Sequence, residues 1–204
     1  AFCSGGDVSG MGEAGTPRSR DERVADLLQK QETLTLRIHE LSKVTIAALP
    51  GAAAGAGLSI ALACDLRVAS SNAFITTAFR NVGLSGDYGA SWFLPRLIGL
   101  SKAKELFYTA RRVSAVEGER LGLFNQVFSE ETFRDDALSY AREIANGPSA
   151  VLSRMKKNLN QGVGQGLRAS LLLEAQHLIE SAGSAEAKEA ISAFMEKRTP
   201  KFHP

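Results

Sequence analysis

Asp87 is the only acidic side chain in "RNVGLSGDYGASWFLPRLIG" (80–99), a run that is otherwise mostly small or apolar. Two chemistries fit a carboxylate in that setting. It can cap a helix, accepting hydrogen bonds from backbone amides that the first turn leaves unpaired. It can also carry a proton inside an apolar pocket, where a displaced pKa is useful. Two glycine-rich turns are the other chemical feature: "CSGGD" (3–7) and "GAAAGAG" (51–57), the second leading into the apolar "LSIALAC" (58–64). Small residues let backbone approach a ligand closely. The first turn of a helix also presents unbonded N–H groups and a partial positive charge. One amide from each turn, aimed at the same oxygen, would make an oxyanion hole. Tight strand-to-helix packing explains the same composition without any ligand. "GAAAGAG" is not a phosphate loop, since no Gly-Lys-Ser/Thr follows it.

The bulk composition narrows the field. A chain of 204 residues suits one domain, or one domain with a small appendage. With 44% hydrophobic and 23% charged residues it has ordinary globular usage. A net charge of +2 argues neither for nucleic acid nor for an anionic membrane surface. No apolar run reaches the roughly 18 residues of a membrane span, and a cytoplasmic protein is expected. Cys3 and Cys64 are the two cysteines and read as reduced thiols. His39, His177 and His203 are scattered without metal-ligand spacing, so no metal is expected; His39, in a charged helix, and His203, in the tail, read as solvated.

The elements that must position these residues follow from pattern. "AFCSGGDVSGM" reads as a strand end running into a turn, and residues 9–20 as a mobile Gly/Pro/Ser-rich loop. From Asp21 to about Ser42, Val24, Leu27, Leu28, Leu34, Ile38 and Leu41 recur at helical spacing, which predicts an amphipathic helix. "VTIAAL" (44–49), "DLRVAS" (65–70) and "AFITT" (73–77) read as short strands around a buried helix at 58–64. Such alternation implies an α/β architecture with crossover connections. Beyond Gly99 the chain turns helical. Ser101 is expected to cap the next helix, and "SAVE" (114–117) has capping-box spacing. Helices are expected over 132–146, 149–161, 167–182 and 184–198.

Taken in order, "AFCSGGDV", "KVTIAALPGAAAGAGLSIALACDLRVAS", "VGLSGDYGASWFLPRLIG" and "ARRVSAVEGERLGLFNQVF" resemble blocks of the crotonase superfamily, the enoyl-CoA hydratases and isomerases. The resemblance covers nearly the whole chain, and the two middle blocks are the specific ones. It implies a crotonase-type (ClpP/crotonase-like) α/β spiral of ββα units over 1–130, then a helical C-terminal trimerisation region over 131–204. It also implies a homotrimer or hexamer. The first block opens at residue 1, where the family places further strands and a helix upstream. An N-terminal portion is therefore missing, either from this sequence or from the protein.

Carried over residue by residue, the resemblance implies that the amides of Gly6 and Ala56 hold a thioester carbonyl of an acyl-CoA, with no further cofactor. Ser4, Asp7, Val8, Phe79, Leu84, Tyr88 and Trp92 are the expected lining of the substrate site. Hydratases of the family use two glutamates, and the matching positions here hold Ser59 and Phe79. Neither exchanges protons usefully at neutral pH. Asp87 matches a third position, where isomerase branches carry an acid. The resemblance therefore favours Asp87 as a proton shuttle that moves a double bond in an enoyl-CoA. Family dehalogenases place a nucleophilic aspartate there but also need a histidine base, and no histidine is expected near the matching blocks. A hydratase and a non-catalytic acyl-CoA-binding protein are the alternatives. Some of Lys156, Lys157, Lys197 and Lys201 are expected either to reach CoA phosphates or to form a solvated face.

Overall fold

The computed structural model describes residues 1–7 and 18–202. Most of the expected mobile loop, Val8 and His203 lie outside the described residues. The chain forms two compact units: Ala1–Leu41 with Thr45–Ala137, and Ser42–Val44 with Leu138–Pro204.

In the first unit, α1 (Arg20–Gln31) runs through a π-helical turn, Glu32–Leu36, into α2 (Arg37–Glu40). Ser19 starts it with a reciprocal capping box to Glu22, which satisfies two orphan amides together. The π turn coincides with Thr33 and Thr35, whose hydroxyls donate back to the carbonyls of Gln29 and Gln31, a habit that bends helices. The expected amphipathic stripe is corrected here. Val24, Leu27, Leu28, Leu34 and Leu41 are exposed, whereas Thr35 is buried. The period of apolar residues located the helix, and its buried residue is Thr35, within the π turn.

Each pass of the chain adds one strand to each of two sheets. β1 (Ile46–Leu49) and β2 (Ala53–Ala54) precede α3 (Ala56–Ala63); β3 (Leu66–Ser70) and β4 (Phe74–Thr76) follow it. β3 lies parallel to β1, with Leu66 opposite Ile46, and β4 parallel to β2, with Ile75 opposite Ala53. After a 3₁₀ turn at Phe79–Val82 come α4 (Ala90–Ile98), α5 (Leu100–Thr109), β5 (Val113–Ser114), α6 (Ala115–Arg120) and β6 (Gln126–Phe128). β5 pairs antiparallel with β4, and β6 parallel with β3. Such helix-covered parallel strands read as continuous apolar runs, as "IAAL" does here. Leu49, Leu58, Ile75, Leu94, Leu106, Val113 and Leu123 are fully buried, each contributing about 1.5–3 kcal/mol relative to exposure. One cation joins this core. Arg67, 4% exposed, donates through Nε to Leu123 O (2.7 Å) and through Nη1 to Cys64 O (2.8 Å), while its amide bonds Asn125.

Two capping expectations change. α5 begins at Leu100 with Gly99 as its N-cap, so Ser101 lies inside the helix. At α6, Ser114 accepts from the Glu117 amide, but the Glu117 carboxylate is held by the Arg111 guanidinium at 2.7 and 2.9 Å. A charge-assisted bidentate pair is the stronger partner, so only half of the predicted box forms. "AFCSGG" contributes a single bridge, Cys3 beside Ala53, rather than a strand.

The division between units falls within α7 (Phe133–Ala145). In the second unit stand α8 (Ser149–Gly162), α9 (Leu167–Ala182) and α10 (Ala185–Met195). The Glu186 carboxylate accepts from the Ala150 and Val151 amides and so caps α8. Asn158 and His177 pair at 2.5 Å. Lys156, expected at a solvated or phosphate-binding position, is 8% exposed and donates to Lys43 O.

Candidate active site

The two glycine turns meet. Phe2 and Cys3 donate to Ala52 O, and Ala54 donates back to Cys3 O at 3.0 Å, so residues 2–4 run beside β2. Two glycines permit this approach. A Cβ at Gly57 would stand 2.3 Å from Cys3 O, and one at Gly5, where φ is +96°, would stand 3.0 Å from Ala54 O. The same point on Gly5 is 3.6 Å from Ala56 N. The backbone turn carrying Gly6 therefore packs against the first turn of α3. Ala56 is the first residue of that helix, Gly55 precedes it, and no side chain caps the turn. Amides at this position have no intrahelical acceptor and share the positive end of the dipole. Gly6 faces open space, with nothing within 4 Å of where its Cβ would be.

Asp87 settles the question its neighbourhood raises. Gly89, not Asp87, is the N-cap of α4. The Asp87 carbonyl, rather than its carboxylate, closes the turn by accepting from Ala90 N at 3.2 Å. Carboxylate atom Oδ1 is buried with no hydrogen-bond partner among the described residues. Burial raises the pKa of the group above the usual aspartate value, because desolvation penalises the charged form.

The surroundings are built from neighbouring turns. Ser59 is fully buried in α3 and donates to Asp87 O at 3.0 Å; its Oγ also lies 3.3 Å from Gly55 O. The amide of Tyr88, a non-glycine residue at φ +49°, donates to Gln31 Oε1 at 2.9 Å. Phe79 is buried, stacks on Phe107 at 6.1 Å, and packs beneath both Gly55 and Gly86. Leu84 is 44% exposed and follows the 3₁₀ turn, donating to Phe79 O. Ser4 and Asp7 are exposed. Trp92 is 41% exposed; His39 and Phe93 lie edge-on to it, and the Arg96 guanidinium covers its face at 3.7 Å.

Through these contacts the Gly6 turn packs on α3 at Ala56, Phe79 lies against Gly55 and Gly86, and Ser59 of α3 bonds the Asp87 carbonyl. The same packing corrects two expectations about His39. It is half-buried, with ring centroids 5.3 and 5.5 Å from Trp92 and Phe93, so it is not solvated. It therefore touches a matching block from which histidine was thought absent. Gln31 escaped the sequence reading; a glutamine in a charged helix 57 residues from its partner carries no local signal. Among the described residues, no group of three His, Cys, Asp or Glu could hold a metal ion.

Comparison with known proteins identifies the family. The family model described as enoyl-CoA hydratase/isomerase matches residues 1–204. A probable enoyl-CoA hydratase of Rhodobacter capsulatus is 36% identical over 99% of this chain and 77% of that protein. The 1,2-epoxyphenylacetyl-CoA isomerase of Escherichia coli is 33% identical over 98% of this chain and 76% of that protein. The crystal structure of enoyl-CoA hydratase from Bacillus anthracis superposes with a TM-score of 0.89 at 31% identity, over 100% of this chain and 78% of that one. The spiral of paired strands is thus the crotonase fold, and the chain belongs to the enoyl-CoA hydratase/isomerase family as an enzyme of the hydratase or isomerase type.

Proposed function

We propose that this enzyme shifts a double bond in an enoyl-CoA, with Asp87 as the sole proton carrier and the amides of Gly6 and Ala56 as the oxyanion hole. One observation carries the reading: Asp87 is a partly buried carboxylate whose Oδ1 has no hydrogen-bond partner among the described residues and whose main-chain carbonyl is bonded by Ser59 of α3, while the positions matching the hydratase glutamates hold Ser59 and Phe79. The thioester oxygen would accept both amides. Removal of a proton from the α carbon then yields an enolate, whose charge the two dipoles offset without reorganising. Asp87, now protonated, returns the proton to the γ carbon. A raised pKa makes the carboxylate a stronger base, closer to the operating pH. Phe79 shields the floor of the site, and Ser4, Asp7, Leu84, Tyr88 and Trp92 remain candidates for contact with the acyl-CoA.

A panel of 2-enoyl- and 3-enoyl-CoA esters incubated in ¹⁸O-enriched water tests this directly. The expected result is interconversion of the two series with no solvent oxygen in the product. Hydroxyacyl-CoA carrying ¹⁸O would replace the proposal with hydration. Binding without conversion of any ester would replace it with a carrier role.

The assembly belongs to the same proposal. Leu159, Leu167, Ile179, Phe194 and Met195 are each more than 70% exposed in the second unit, which supports a homotrimer, or a pair of trimers, that covers them. A cytoplasmic location is likewise proposed. Among the described residues, no helix is long and apolar enough to cross a membrane.

A further inference from the structure

Among the described residues Oδ1 of the Asp87 carboxylate has no hydrogen-bond partner. The peptide unit joining Asp87 to Tyr88, by contrast, is gripped at both ends. At the carbonyl end, Ser59 Oγ donates at 3.0 Å and Ala90 N at 3.2 Å. At the amide end, Tyr88 N donates to Gln31 Oε1 at 2.9 Å. Tyr88 sits at φ +49°, a left-handed conformation unfavourable for a side-chain-bearing residue. Such conformations persist where surrounding contacts over-determine them. Both gripping residues have telling positions. Ser59 lies three residues after Ala56 in α3, so the helix whose first amide would meet the thioester also holds the loop carrying the base. Gln31 ends α1 where the π turn begins, and π turns recur at functional sites.

We propose that Gln31 and Ser59 are positioning residues for Asp87, clamping the 87–88 peptide so that the carboxylate faces the reacting carbons. This rests on the proton-shuttle reading of Asp87. Neither residue touches substrate in this account, so removing either clamp changes turnover rather than binding. A displacement of about 1 Å at a reacting group can cost up to about 10²-fold.

The experiment is a double-mutant cycle on a 3-enoyl-CoA, following isomerisation and α-proton exchange in deuterated water. Gln31→Met keeps the length of the side chain but removes the acceptor. It is expected to lower kcat about 10- to 100-fold with KM within about twofold, and Gln31→Glu, which restores the acceptor, is expected to recover most of the loss. In an Asp87→Asn background Gln31→Met should change nothing further, since residues that act as one unit are not additive. Ser59→Ala runs the same cycle from the other end and serves if Gln31→Met does not fold. Should Asp87→Asn lose turnover while Gln31→Met and Ser59→Ala keep wild-type kcat, the clamp is refuted and the shuttle stands. An equal loss in both backgrounds makes the contacts structural only and also overturns the clamp. Full turnover in Asp87→Asn, or no reaction by the wild type, removes the shuttle and the clamp with it.

Discussion

Burial of an unpartnered carboxylate at residue 87 has consequences for stability as well as chemistry. A folded-state pKa raised above the unfolded value means that the folded protein binds the proton more tightly. Stability therefore falls as pH rises through the interval from 3.8, the ordinary value, up to the raised one. Asp87→Asn removes that loss. Its Tm is expected to exceed that of the wild type at pH 7, with the gap closing below pH 3.8, where both side chains are neutral. Thermal denaturation across pH checks the sign. Activity moves the other way: kcat of Asp87→Asn is expected to fall about 10²–10⁴-fold, the usual worth of a positioned acid–base group. The acidic limb of the wild-type rate profile should lie above pH 3.8 and vanish in the variant. The candidacy of Asp87 was legible because a lone acid in an apolar run is a chemical anomaly. The hold on its main chain was not legible, since Gln31 meets the Tyr88 amide across 57 positions and Ser59 the Asp87 carbonyl across 28, and neither carries a periodic signal.

Among the elements, α3 carries the most chemistry, and its first turn offers a clean test of the amide at position 56. Proline is favoured at the first helical position, where its missing N–H is an orphan in any case, and the preceding glycine tolerates the restriction proline imposes. Ala56→Pro should therefore fold while losing one oxyanion donor. The expected outcome is a 10²–10³-fold lower kcat with a small change in Tm, read by steady-state kinetics and calorimetry. Gly57→Ala predicts a different pattern. Its Cβ would stand 2.3 Å from Cys3 O, so the two turns must separate; about 1–3 kcal/mol of stability and most of the activity should go together. Short apolar runs and glycine punctuation made the strands and α3 legible, because both are local signals. Over α1–α2 the polar Thr35, in the π turn, is buried while the leucine stripe is exposed, and the apolar period alone carried no signal of that. The half-formed cap at α6 follows the same logic, as Arg111 outcompetes the Ser114 amide for Glu117.

For the whole molecule, the proposed trimer accounts for apolar side chains that a lone chain leaves in water. Phe194 is 82% exposed and Leu167 75%, large apolar side chains that a subunit interface would cover. Phe194→Glu combined with Leu167→Glu should shift the sedimentation coefficient from that of a trimer or hexamer to that of a monomer. A wild type that sediments as a monomer would remove the assembly proposal. The fold as a whole was readable from ordered blocks of sequence, whereas the assembly rests on which surfaces stay uncovered, a property visible only after the core has formed. The central claim concerns the path of one proton, and an isotope can follow it. A 3-enoyl-CoA deuterated at the α carbon, converted in ordinary water under single-turnover conditions, should yield a 2-enoyl-CoA carrying part of that deuterium at the γ carbon, and Asp87→Asn should yield almost no product. Product formed at the wild-type rate by Asp87→Asn, with no deuterium transferred by either enzyme, would contradict the account.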